Sequence, residues 1–420
     1  MKVDEGFLAR MRDSFKLLQS DGPMAATAAI QSALRGEPLS PEAEAHPQKK
    51  QEYQEHQGQT DGLDPNVGAG RFAKGMQEKW AGLWNKEGIT DLDFHDILGS
   101  SLAGTPAPAA DVDVDVDGDA AGETDAAKGR FVNATFTNAA GTRAYKVYVP
   151  SAYTGQALPV LVMLHGCKQN PDDFAVGTGM NTVAEENDCI VVYPAQARGA
   201  NGSNCWNWFQ KGDQQRDRGE PSIIAGITKE VIRQYGADAN RCYIAGLSAG
   251  GAMAAIMSAR YPDLYAAVGI HSGLPLGAAH DVPSAFAAMK SSSPTFEPPS
   301  GFTPTIVFHG DRDKTVHPAN GAQAFDQGAP RVSKASSSTQ ADPAVTVNQG
   351  TVPRGRSYST TVRRDASGKP VAEYWVIHGA GHAWSGGSRK GSYTDPKGPD
   401  ASSEMLRFFY QHALKPELHR

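Results

Sequence analysis

The feature that most constrains this chain is a series of continuous apolar runs, each bounded by glycine, proline or polar residues. They are VLVMLHG (160–166), CIVVYPA (189–195), RCYIAGLS (241–248), AAVGIHS (266–272), TIVFHGD (305–311) and EYWVIHG (373–379). Strands that are apolar at nearly every position need cover on both faces, and helical patterns lie between most of these runs. The economical arrangement is a mostly parallel sheet with helices on both faces, its ligand chemistry gathered at the carboxyl ends of the strands. Ahead of them, FVNATF and RAYKVYVP flank the turn-like NAAGT and predict an antiparallel hairpin.

Upstream of this pattern the chain reads differently, and the boundary falls at residues 128–129. Residues 129–420 are expected to form the α/β unit, and residues 1–128 an N-terminal region that is partly helical and partly disordered. Phe7, Leu8, Met11, Phe15 and Leu18, then Ala26, Ile30 and Leu34 after a Gly-Pro break, have the spacing of short amphipathic helices. Residues 37–70 carry too few large apolar side chains to offset the entropy of ordering. Asp111, Asp113, Asp115, Asp117 and Asp119 resemble a calcium loop, but counting twelve from Asp113 reaches Thr124 rather than a closing glutamate. The run therefore reads as a flexible acidic linker.

Composition narrows the function. The 420 residues include 46 acids against 40 Lys and Arg, a net charge of −6, which argues against a nucleic-acid binder. No run is long and apolar enough to span a bilayer, and the N-terminus lacks the apolar core of a secretory signal, so the sequence by itself points to the cytoplasm. Four cysteines without a CxxC pair give no disulfide framework and no zinc site.

Gly246-Leu247-Ser248-Ala249-Gly250 follows the apolar strand CYIA and leads into a helix of small residues. That is the context of a nucleophile elbow, in which flanking glycines permit a sharp turn and lift the serine above the sheet. The serine needs a base and the base needs an orienting acid. Asp313 and His382 fill those roles, each just beyond a strand's carboxyl end. Asp311 and His378 are the neighbours weighed and set aside, because Asp313 is freer to turn back and His378 still lies within a strand pattern. The oxyanion donors are the N–H groups of Ala249, by position, and Cys167 in the loop HGCKQ. In the loop NCWNWF, Trp206 is expected as a wall of the substrate pocket and Trp208 as filler of the loop's own core. Cys205 is placed to reach Cys167 if both loops border the site. Cys189 and Cys242, at strand starts, read as buried thiols.

The motifs LHGCKQNPDDF, CWNWF, GLSAGGAMA, HGDRDKTVHP, GHAWSGG and GSYTDPKGPDASSEMLRFF, which together cover about residues 131–412, resemble the α/β-hydrolase esterases of the poly(3-hydroxybutyrate) depolymerase type, a family that includes feruloyl and acetylxylan esterases. The resemblance implies an α/β-hydrolase fold and a serine esterase acting through an acyl-enzyme on short-chain hydroxyalkanoate esters or polyester, with feruloyl or acetylxylan esters as the alternative. It implies the triad Ser248, His382 and Asp313, oxyanion donors Cys167 and Ala249, and a substrate contact at Trp206; His165 is expected as a further substrate contact, and the chemistry is expected to need neither cofactor nor metal. Secreted family members make an extracellular location the expectation from resemblance. A reading of another class makes the chain a polymer-granule-associated scaffold, with residues 1–128 binding a granule or protein partner.

Overall fold

A computed structural model describes residues 129–291, 302–328 and 345–414. The N-terminal helices, tether and acidic linker expected within 1–128 lie outside the described residues. In chain order the described part contains β1 (Arg130–Asn138), β2 (Gly141–Val149), β3 (Val160–Leu164), α1 (Pro171–Thr178), α2 (Met180–Glu186), β4 (Ile190–Pro194), α3 (Gly219–Tyr235), β5 (Cys242–Leu247), α4 (Ala249–Arg260), β6 (Ala267–His271), α5 (Val282–Lys290), β7 (Thr305–Gly310), α6 (Ala319–Gln327), β8 (Val345–Thr351), β9 (Ser357–Arg364), β10 (Pro370–Ile377), β11 (Trp384–Ser385), β12 (Thr394–Asp395) and α7 (Ala401–Phe409).

Ten strands form one sheet in the order β1-β2-β4-β3-β5-β6-β7-β10-β9-β8. The six central strands, β4 through β10, are parallel, and each apolar run of the sequence supplies one of them. Strand β3 shows why those runs must be apolar throughout. Val160, Val162 and Leu164 enter one core cluster and Leu161 and Met163 the other, and all five are fully buried. One face is covered by α3 and α4 through residues such as Ile223, Ile227, Met253 and Met257. The opposite face is covered by α1, α2 and α7 through Phe174, Met180, Met405 and Phe409. Burying one such side chain is worth roughly 1.5–3 kcal/mol, so polar alternation on these strands would forfeit one layer or the other.

The predicted hairpin is β1–β2, with Asn138 opposite Gly141 across a two-residue turn. A second hairpin, β8–β9, closes the other edge and was not anticipated. The chain steps from β3 to β4 on one side and returns to β5 on the other. The crevice at the strands' carboxyl ends therefore opens between β3 and β5, where the loop after Leu164 meets the turn after Leu247. This is the α/β-hydrolase arrangement. Among the described residues no helix is long and apolar enough to cross a membrane.

Candidate active site

Ser248 sits at the turn between β5 and α4 with φ 57° and ψ −119°, a conformation that costs a non-glycine residue of order 1–3 kcal/mol. The surroundings enforce it. A Cβ on Gly246 would lie 2.4 Å from the backbone of Gly250, and one on Gly250 would lie 2.0 Å from the carbonyl oxygen of Leu164. Only glycines let α4 start this close to β3 and β5. The Ser248 N–H donates to His271 O at 2.9 Å, and Ser248 O accepts from the Ala252 N–H at 2.9 Å, so the turn is fixed on both sides.

The loop after β7 supplies the acid. Asp313 is buried, and its Oδ1 accepts from the N–H groups of Thr315 and Val316, both at 2.9 Å. Its Oδ2 accepts from His382 Nδ1 at 2.7 Å. Burial alone would push this carboxyl up, but the hydrogen bonds and charges of His309 and His382 outweigh it and hold the group well below the usual carboxylate range. An ionised acid bonded to Nδ1 leaves Nε2 of His382 as the basic nitrogen. Asp311 belongs to a separate pair: its Oδ2 faces His378 Nδ1 at 3.0 Å, and its Oδ1 accepts from the Gly379 N–H at 2.7 Å.

Ser248 and His382 line one cavity of about 420 Å³, together with Cys167 and Ala249. No hydrogen bond joins the hydroxyl to the imidazole among the described residues; such contacts commonly tighten only when substrate is bound. The Cys167–Cys205 disulfide joins the loop after β3 to the NCWNWF loop, with the Cα atoms 4.2 Å apart. Gln169 braces the same loop from within, accepting from the Gly166 N–H at 3.0 Å and donating to Asp173 Oδ2 at 2.9 Å. Among the described residues no cluster of histidine, cysteine and carboxylate side chains could hold a metal ion.

Comparison with known proteins bears on this geometry. Residues 143–341 match the family described as Esterase PHB depolymerase. Over that segment the chain is similar to this family. Its curated relatives include poly(3-hydroxyalkanoate) depolymerase C of Paucimonas lemoignei, 31% identical over 259 residues, which are 59% of each chain. Poly(3-hydroxybutyrate) depolymerase of Ralstonia pickettii is 28% identical over 57% of this chain and 50% of its own length. Feruloyl esterase B of Neurospora crassa is 32% identical over 38% of this chain and 50% of its own length. The chain thus spans between half and three fifths of the length of these relatives.

The structure places two expected substrate contacts elsewhere. Trp206 does not line the cavity: it is 1% exposed, packs in the core and donates from Nε1 to His165 O at 3.1 Å. Trp208, with Phe209, forms the wall instead. The indole N–H decides the exchange, because Trp206 finds its buried acceptor only by turning inward. His165 is likewise buried behind the wall. Its Nδ1–H donates to Gly166 O at 2.8 Å and its Nε2 accepts from the Gln196 N–H at 3.1 Å, and burial lowers its pKa to about 4. It is a neutral strut under the loop rather than a substrate contact.

Sequence reasoning missed His309. This β7 residue is fully buried, with Nε2 2.8 Å from Val316 O and 3.3 Å from Asp313 Oδ2. Two oxygen acceptors facing Nε2 require the proton there, so His309 holds the same carboxylate oxygen that His382 approaches. The available signal was a histidine in an otherwise apolar strand, four residues before the acid.

Proposed function

We propose that the chain is a serine esterase acting on short-chain hydroxyalkanoate esters through an acyl-enzyme. The observation that carries the reading is the conjunction, in one cavity, of a strained elbow serine and a histidine bonded to a buried, ionised aspartate. His382 Nε2 takes the Ser248 proton as Oγ attacks the ester carbonyl, and the N–H groups of Cys167 and Ala249 receive the developing oxyanion. The same imidazole gives its proton to the departing alcohol, then activates the water that releases the acid. The apolar wall of Trp208, Phe209, Leu274, Phe286 and Met289 suits a small acyl chain. Hydroxyalkanoate is favoured over feruloyl or acetylxylan ester by the depolymerases among the relatives, which align over more of the chain.

Replacing Ser248 tests the chemistry. Ser248→Ala should retain the folded circular-dichroism spectrum and lose p-nitrophenyl butyrate turnover by on the order of 10⁴–10⁶ in kcat. Undiminished turnover would remove Ser248 from the mechanism. Parallel assays on 3-hydroxybutyrate oligomers, amorphous polyester and methyl ferulate would rank the substrates, and a preference for the ferulate would replace the hydroxyalkanoate assignment.

A further inference from the structure

The cavity around Ser248 is asymmetric in charge. Lys168, Arg312 and Lys314 lie along it, and no aspartate or glutamate does among the described residues, although the chain as a whole is net acidic. Arg312 and Lys314 are solvent-exposed and form no ion pair with any described acid. They are also the immediate neighbours of Asp313, whose carboxylate holds His382. In acyl transfer the imidazole must deliver its proton to the leaving oxygen, so the leaving alcohol occupies the His382 side of the cavity and the acyl chain the apolar side. Arg312 and Lys314 therefore border the alcohol's half of the site.

We propose that Arg312 and Lys314 form a carboxylate subsite for the leaving group, so that the preferred substrate is an oligoester with a free carboxyl end and the departing product is a hydroxy acid. This rests on the esterase reading and deepens it. A 3-hydroxy acid fits because its carboxylate is only three carbons beyond the ester oxygen, close enough to reach cations flanking the histidine's partner. The balance is simple. Ser248 Oγ forms a bond to the carbonyl carbon, the carbon–oxygen bond to the hydroxy acid breaks, and the serine proton passes through His382 to that oxygen. Water then cleaves the acyl-enzyme and restores the serine hydroxyl, with no net change in oxidation state. Low-dielectric walls on one side and cations on the other concentrate the field on the anionic end. The enzyme then works inward from the carboxyl terminus, one unit at a time.

The test compares a 3-hydroxybutyrate trimer as the free acid with the same trimer capped as its methyl ester, alongside p-nitrophenyl butyrate. At low salt the wild-type enzyme should favour the free acid by about tenfold in kcat/KM, the combined effect of two exposed ion pairs of ordinary strength. In Arg312→Gln/Lys314→Gln that ratio should collapse toward one, and 0.5 M NaCl should shrink it in the wild type as the charges are screened. The ratio, not the absolute rate, is read, so any disturbance of Asp313 cancels. Equal use of the two trimers by wild-type enzyme that turns over p-nitrophenyl butyrate would overturn the subsite alone, as would a preference that survives the double substitution. No turnover of any ester would overturn the esterase reading itself.

Discussion

At the scale of single residues, the site separates groups that look alike in the sequence. Asp311 and Asp313 are two apart, yet each holds a different histidine, and only His382 borders the cavity. Asp313→Asn should therefore lower kcat by roughly 10³–10⁴ through loss of the correct imidazole tautomer, while Asp311→Asn changes it little; steady-state kinetics on p-nitrophenyl butyrate decides the ranking. The tryptophans divide similarly. Trp206→Ala should cost about 3–5 kcal/mol of stability as a large buried aromatic, measured by chemical denaturation. Trp208→Ala, also buried in the same core cluster, should cost stability too but in addition reduce kcat/KM by roughly ten- to a hundredfold. A larger fall in kcat/KM for Trp206→Ala than for Trp208→Ala would return Trp206 to the substrate wall. Sequence could not distinguish these two indoles, because what separates them is the acceptor His165 O, brought over from a loop 41 residues away.

At the scale of elements, legibility followed burial. The central strands were readable because each faces two helix layers and is apolar on both sides, and the elbow was readable because its glycines answer a local steric demand. Strands β8 and β9 escaped notice for the opposite reason. VTVNQGT is almost wholly exposed and SYSTTVRR is polar except at Tyr358 and Val362, so neither carries the continuous apolar signature of its neighbours. His309 was hidden by its strand's apolar character, since its role depends on Asp313 curling back under β7. The Cys167–Cys205 pairing, conditional in the sequence on both loops reaching the site, links two loops that carry the proposed oxyanion donor and the pocket wall. Replacing both cysteines by serine should cost about 2–5 kcal/mol and lower the melting temperature by several degrees. It should also lower kcat more than it raises KM, because the loosened donor serves the transition state. An unchanged kcat with a lowered melting temperature would confine the disulfide to a structural role.

For the whole molecule, one buried acid couples stability to pH. Burial, with Asp213 nearby, pushes Glu220 up to about 7 from 4.5, even though Asn207 donates to it twice, at 2.7 and 2.8 Å. A folded pKa above the unfolded one means a contribution that is full below pH 4.5 and is lost as pH rises to 7. Wild-type protein should thus lose melting temperature between pH 5 and 8 by a few degrees more than Glu220→Gln does; parallel curves would acquit this group. Residues 1–128 are proposed as the recruiting part of the chain. Their deletion should spare soluble-ester activity and weaken adsorption to amorphous polyester, and unchanged adsorption would refute that role. The two remaining thiols, Cys189 just before β4 and Cys242 at the start of β5, are fully buried, and burial drives Cys189 up to about 12. A maleimide dye added to native protein would consequently find nothing to alkylate until the sheet itself parts, which makes the rate of labelling a clock for global opening.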